Sequence, residues 1–357
     1  MFTDLDFQIN KIKALVADSF EQVNQTILDC AVFSNISNSF SLINKHITAN
    51  IGKQLRPLLL LLSANAIKES TNHKINDQNN NYIKLAAVTQ LIHIASLLHD
   101  DVLDNSEIRR NKKTINADFG NKCAILAGDF LYSKVFNLIA KIDSQHNNKL
   151  IDLIADTSSF MVEGEILQLS EKYNFTINEE RYLQIIIAKT ARLFSTTMQL
   201  PAICSGSLYS TSLAECGLNL GIAYQLLDDI FDYYKLGNDI TEGRITLPVI
   251  FLLNNADIYT KQNIINIIKK YSNMNHFKQS EQLRFLRNTM LNNGGFNYTF
   301  NLAKQYLIKA KSVINILVES KYKQGILQII DCLLCLQLPK ICNMQMNLLS
   351  SYTNCGV

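Results

Sequence analysis

Apolar residues recur at steps of three and four along most of this 357-residue chain, and that spacing leaves few folds open to it. Ile83, Ala86, Ala87, Leu91, Ile94, Ala95, Leu97 and Leu98 form a stripe wide enough to cover most of a helix's circumference. Comparable runs fill 125–139, 182–200, 213–234, 247–253 and 326–338. The two-residue alternation of a half-buried strand is hard to find over any useful length. A helix apolar almost all round must be enclosed by other helices, so the expected class is all-α. With 4 Pro and 13 Gly, the chain is also too poor in turn formers for a many-stranded sandwich or a Pro-rich linker protein. Polar clusters at 69–81, 143–149, 172–178 and 292–295 read as connecting loops, none long enough to separate domains. One helical domain over 1–338 is expected, followed by a tail, 339–357, with no assigned role.

Lys plus Arg less Asp plus Glu is 34 − 31 = +3, so no global basic field points to nucleic acid. The first residues, from Met1 to Asp6, are acidic and precede no apolar run of signal-peptide length. The greasiest run, from Pro57 to Leu62, is broken by Ser63 and Asn65, short of the roughly 20 residues that a spanning helix needs. A soluble, cytoplasmic protein is the expectation. Cys30, Cys123, Cys204, Cys216, Cys332, Cys335, Cys342 and Cys355 are scattered, mostly inside apolar stretches. Leu333 and Leu334 separate Cys332 from Cys335, and no second Cys/His pair has zinc spacing, so reduced core thiols are expected.

Two acidic motifs carry the chemistry. LLHDDVLD contains Asp100, Asp101 and Asp104, and QLLDDIFD contains Asp228, Asp229 and Asp232; both read DDxxD. On a helix, positions i and i+4 share a face, so Asp100 with Asp104, and Asp228 with Asp232, present carboxylates one turn apart. Three carboxylates gathered at the end of an apolar helix are costly unless a cation joins them. Oxygen-only donors select a hard divalent ion, and Mg2+, which keeps its waters and bridges to substrate phosphates, is the expected cofactor. One such motif alone reads as a solvated acidic turn; two with the same spacing, each behind an apolar run, do not. Basic residues complement them: Lys53 and Arg56 in GKQLRP, Arg109 and Arg110 in EIRRNKK, Lys189 and Arg192 in KTAR. Singly these are solvated charges. Beside two metal motifs they suggest a diphosphate cradle.

In chain order, GKQLRP, LIHIASLLHDDVLD, RRNKKT, GDFLYSKVF, VEGEILQL, KTARLF, YQLLDDIFDYY and EGRITLP resemble the trans-polyprenyl diphosphate synthase family, in particular its long-chain, octaprenyl-forming type. The resemblance implies an isoprenoid-synthase-type helical bundle around a central deep cavity, with the two DDxxD motifs facing each other across its mouth. It implies an allylic diphosphate held through about three Mg2+ by Asp100, Asp101, Asp104, Asp228, Asp229 and Asp232, and gripped by Arg109, Lys189 and Gln225. Isopentenyl diphosphate is implied at Lys53, Arg56, His93 and Arg110. The reaction so implied ionises the allylic diphosphate, with Thr190 and Gln225 offering dipoles to the allylic cation. The isopentenyl double bond then attacks, and a proton is lost to the departing diphosphate. A homodimer, farnesyl diphosphate as primer, quinone side chains as destination and transient membrane contact at product release follow from the same resemblance.

Ala95 and Ser96, five and four residues before Asp100, are small where short-chain members tend to carry an aromatic. An open path for the tail implies a product of about C30 to C50, with C40 expected, and Phe136 resembles the tunnel floor of octaprenyl-forming members. The stretch from Asp232 to EGRITLP is about eight residues shorter than the family usually runs. Asn238 stands where a lysine follows LG, and Arg244 where the EGK lysine falls, so closure over the diphosphate depends on substitutes such as Lys235 or Arg244. RRN replaces RRG. Three other readings stay open: a weakly active or regulatory subunit of a heteromeric prenyl synthase, a class I terpene cyclase, and a helical scaffold. Incorporation of isopentenyl diphosphate separates them from the synthase.

Overall fold

The three-and-four periodicity resolves into long helices that enclose one another. The structure, a computed structural model, describes residues 2–32, 38–49, 52–71, 80–110, 112–235, 238–271 and 281–335. The first helices are α1 (Phe2–Lys13), α2 (Ala17–Cys30), α3 (Asn38–Ala49), α4 (Leu55–Thr71) and α5 (Asn81–Leu103). A hairpin of β1 (Ile108–Arg109) and β2 (Lys112–Lys113), with Ile108 opposite Lys113, leads to α6 (Ile115–Phe119), α7 (Asn121–Ala140) and α8 (Asn147–Ser170). Then α9 (Glu179–Ile186) passes through a π-helical turn (Ile187–Ala191) into α10 (Arg192–Ser205) and α11 (Ser210–Lys235). Completing the described chain are α12 (Asn238–Thr241), α13 (Leu247–Asn255), α14 (Ile258–Tyr271), α15 (Glu281–Asn292), α16 (Gly295–Ile314) and α17 (Lys321–Leu334). The all-α expectation holds; the two-residue strands are too short to leave a period in the sequence.

Local signals explain many of the boundaries. The Asn178 side chain accepts from the Arg181 backbone N–H at 2.8 Å to start α9, and Ser320 does the same for Lys323 at 3.1 Å to start α17. Thr246, extended, precedes α13, whose first turn holds Pro248, where a missing N–H costs nothing. Arg287 Nε donates to the Tyr233 carbonyl near the end of α11 at 2.9 Å.

The core is one contiguous cluster running from Ile9 in α1 to Leu333 in α17. At its centre α11 packs against α10 and α16, while α5 packs against α7, α4 and α2. Leu58 to Leu62 are all buried, which accounts for an apolar run with no polar face in α4. Close approach around the π-helical turn depends on two glycines. A Cβ on Gly221 of α11 would lie 2.6 Å from Ala191 Cα, and one on Gly164 of α8 would lie 2.8 Å from the Lys189 amide nitrogen. The turn is therefore clamped between α8 and α11.

Among the described residues two helices, α5 and α7, are long and apolar enough to cross a membrane, against the expectation from unbroken apolar runs. A window with few charges passes that test without an unbroken run. In α5 the window is 72% buried, as befits a core helix; in α7 it is 39% buried. Ile125, Leu126 and Phe136 of α7 and Phe160 of α8 are exposed, whereas the exposed Val162 and Ile166 of α8 border a cavity. Cys30, Cys123, Cys204, Cys216, Cys332 and Cys335 are free thiols. Cys342, Cys355 and the tail 339–357 lie outside the described residues, as does most of the 69–81 loop.

Candidate active site

One cavity of about 770 Å³ collects side chains from eight parts of the fold, α7 among them through Tyr132. The last two turns of α5 bring Ser96 and Asp100, its C-cap brings Asp104, and the hairpin brings Arg109 and Arg110. Arg56 comes from α4 and His93 from α5; Glu165 comes from α8 and Lys189 with Thr190 from the π-helical turn. Gln225, Asp228, Asp229 and Asp232 come from α11, and Asp239, Glu242 and Arg244 from the short connection after it. Residues up to 188 positions apart in sequence thus share one wall, from Arg56 to Arg244 (244 − 56 = 188).

The walls differ in charge. Arg56, Arg109 and Arg110 stand near His93, whose imidazole is held neutral, well below its ordinary range, first by burial and then by those three guanidinium groups. Arg56 lies 4.5 Å above the Phe194 ring, its Nε has no hydrogen-bond partner, and burial brings it down to about 10. Guanidinium groups gathered this near one another and beside a neutral imidazole suit an anion. Arg110 takes a left-handed conformation (φ 52°) in the hairpin turn and rests against Gly52. Lys53, beside that glycine, is exposed and does not line the cavity.

The opposite rims are acidic, and helix geometry sorts their carboxylates. Asp100 and Asp104 line the cavity, whereas Asp101, about 100° round the helix, is 4% exposed and does not. Its Oδ1 accepts from Arg109 Nε at 2.8 Å, so it positions that arginine. In the second motif Asp228 is exposed at the mouth, while Asp229 is buried and both its oxygens are engaged. Tyr182 Oη donates to Oδ2, and Gln225 Nε2 donates to Oδ1 at 2.7 Å. Thr190 Oγ1 in turn donates to Gln225 Oε1 at 2.8 Å. Burial pushes the Asp229 carboxyl up to about 7 against those two hydrogen bonds. Gln225, expected on the diphosphate, thus links the π-helical turn to the second motif. Lys189 is held by Glu165 and by Gln168 Oε1 at 2.7 Å, with Asp100 Oδ2 4.0 Å away.

These donors fit Mg2+. All are oxygens, and Asp104 Oδ1 is buried without a hydrogen-bond partner. Among the described residues no three carboxylates come close enough to cage an ion by themselves. One or two forward-facing carboxylates per motif suit an ion whose remaining ligands are water and substrate oxygens.

Residues 38–283 match the sequence pattern of the family described as Polyprenyl synthetase. The chain belongs to that family. An octaprenyl diphosphate synthase of Haemophilus influenzae is 32% identical over 334 residues, 90% of this chain and 95% of that one. The structure of a decaprenyl diphosphate synthase from Rhodobacter capsulatus superposes with a TM-score of 0.80 at 28% identity, covering 91% of this chain and 98% of that one. A polyprenyl synthase from Caulobacter crescentus, solved with calcium and isoprenyl diphosphate, also gives 0.80, at 29% identity over 91% and 97% of the two chains.

Within this polyprenyl synthetase, the three chain-length positions separate. Ser96 lines the cavity, its hydroxyl turned back onto the His93 carbonyl at 2.9 Å. Ala95, one position earlier, is fully buried and faces the helical core instead. Phe136, one turn beyond Tyr132 on α7, is 65% exposed and does not itself line the cavity. Leu131, Val135 and Leu138 hold the buried face of that helix, and Tyr132, one turn earlier, is the α7 side chain that reaches the cavity.

Sequence reasoning missed Tyr182, Glu165, Gln168 and Lys172. VEGEILQL held Glu165 and Gln168 in view without showing that they face Lys189. Tyr182 gave no signal, since it reads as one more aromatic on an apolar face. Tyr182→Phe is expected to lower kcat/KM by about tenfold or more and to raise the Mg2+ concentration for half-maximal rate. A metal titration of the variant, with its melting temperature as a control for folding, checks this.

Proposed function

We propose that this synthetase, a long-chain trans-polyprenyl diphosphate synthase, extends farnesyl diphosphate with successive isopentenyl diphosphates to a product near C40 for quinone side chains. The observation that carries the reading is the single cavity with two forward-facing aspartate pairs on its rims and a cationic wall of Arg56, Arg109 and Arg110 beside a neutral His93. Asp100, Asp104, Asp228 and Asp232 would hold Mg2+, which would supply the charge neutralisation that makes the allylic diphosphate a leaving group.

The chain's own groups do the rest. Lys189, fixed by Glu165 and Gln168, and Arg109, fixed by Asp101, grip the allylic diphosphate. Arg56, His93 and Arg110 hold the isopentenyl diphosphate. Leu97, Met161 and Leu169 give the cavity apolar surface that excludes water while the allylic cation exists. The Thr190 hydroxyl and Gln225 amide, fixed by their mutual hydrogen bond, present oriented dipoles to that cation. The departing diphosphate takes the proton that the condensation releases.

Purified protein given Mg2+, farnesyl diphosphate and labelled isopentenyl diphosphate should yield a chain of about C30 to C50 on reversed-phase chromatography. No incorporation by folded protein would overturn the reading and favour a regulatory subunit. Both aspartate motifs face the cavity, which supports the catalytic assignment. Ser96→Phe is expected to shift the product to shorter chains, because the ring enters the cavity. Ala95→Tyr, by contrast, is expected to destabilise by about 1–3 kcal/mol through overpacking. Phe136→Ala is expected to leave the chain-length distribution of a single-chain tunnel unchanged. The exposed apolar residues of α7, Ile125, Leu126 and Phe136, suit a second copy of the chain, with transient membrane contact when the product leaves. A cytoplasmic enzyme is the setting that fits these steps.

A further inference from the structure

Arg244 sits in the shortened connection after the second motif and reaches across the cavity mouth. Its Nη2 pairs with Asp104 Oδ2 of the first motif and lies 2.7 Å from Glu242 Oε2, while Nη1 lies 3.6 Å from Asp239 Oδ1. The Asp239 amide donates to Asp232 Oδ2 of the second motif at 2.9 Å. One side chain and one amide therefore join the two motifs. Lys172 Nζ also lies 3.7 Å from Asp104 Oδ1.

The backbone carrying Arg244 is fixed. Its amide donates to the Asp239 carbonyl at 2.7 Å, the Tyr173 amide donates to the Gly243 carbonyl at 2.8 Å, and Gly243 packs on the Tyr173 ring. The guanidinium lines the cavity, and its buried Nε has no hydrogen-bond partner.

We propose that Arg244 is an exchangeable counter-ion, which neutralises Asp104 in the unliganded chain and swings to the substrate's diphosphate when a divalent cation takes Asp104. This rests on reading the cavity as a metal–diphosphate site. A guanidinium on Asp104 Oδ2 and a divalent ion on the neighbouring Oδ1 stand close enough to repel strongly, so a metal bound alone weakens the hold of Asp104 on Arg244 and favours its displacement. When diphosphate is present the displaced guanidinium gains a new anion. Metal and diphosphate then bind with positive coupling, and each raises the other's affinity by the same factor. The short connection gives this role to one arginine, without a lysine at Asn238 to share it.

The test uses the full chain, with Mn2+ as the metal probe and inorganic pyrophosphate as the diphosphate probe. Mn2+ affinity is measured by electron paramagnetic resonance, with and without pyrophosphate, for wild type, Arg244→Gln and Arg244→Lys. Chelation of Mn2+ by pyrophosphate in solution is common to all three and cancels in the comparison. Arg244→Gln should bind Mn2+ alone about tenfold more tightly than wild type and lose the enhancement by pyrophosphate. Arg244→Lys, which keeps the charge but not the fork, should fall between the two, and it decides the matter if melting curves show that the glutamine variant does not fold. Mn2+ affinity no tighter than wild type, or an undiminished enhancement, overturns the exchange. Wild type binding neither probe would instead overturn the metal–diphosphate reading itself.

Discussion

Asp228→Asn is expected to lower kcat by about 10²–10³-fold while leaving the melting temperature close to that of wild type. The substitution keeps the size of the side chain and removes one negative charge from the mouth of the cavity, where Asp228 is exposed. Asp229→Asn is the informative contrast. Both Asp229 oxygens already accept from Tyr182 and Gln225, and the residue is buried. Its loss should act through the Thr190–Gln225 connection, with a smaller fall in rate and a larger fall in stability. Steady-state rates with Mg2+ titration, paired with thermal melts, check both. Equal loss of rate in the two variants would show that the i and i+1 carboxylates do not divide their work as the helix geometry requires.

Gly164→Val is expected to lower kcat/KM by about 10²-fold without touching any charged group in the cavity. A Cβ at 164 would lie 2.8 Å from the Lys189 amide nitrogen and 2.8 Å from Ala188 Cβ. Backbone on one side of the clamp cannot yield without moving the π-helical turn, and Gly221 on the other side leaves that turn no room toward Ala191. The displaced turn carries Lys189 and Thr190 away from Glu165, Gln168 and Gln225. π-helical turns inserted in α-helices are found frequently at functional sites, and here the insertion aims two cavity residues. Activity assays should show the loss. Ala188→Gly in the same chain should restore only part of it, since it removes the side-chain clash and not the backbone one. Full activity in Gly164→Val would mean that the turn is not positioned by this contact.

Much of the fold was legible because helical burial leaves a period in the sequence. The stripes at 83–98, 125–139 and 213–234 fall within α5, α7 and α11. The turn at 172–178 separates α8 from α9, and that at 292–295 separates α15 from α16. The hairpin at 108–113 left no such trace, because two residues per strand are too few to alternate. Two DDxxD motifs behind apolar runs likewise signalled a divalent-cation site, since carboxylates in that setting need a cation.

What the sequence by itself determined is therefore the class of fold, the acidic ends of two helices and the inventory of cationic partners. Local spacing sets which residues share a helix face, and charge composition sets what they can bind. Only the tertiary structure decided which groups face the cavity and which are already taken. Asp101 and Asp229 turn to protein partners, Ser96 lines the cavity while Ala95 does not, Phe136 faces outward, and Arg244 closes on Asp104 from 140 residues away. Those choices depend on the rotation of each helix against its neighbours and on glycine contacts that let backbones approach. Neither quantity is written in the period of a single segment.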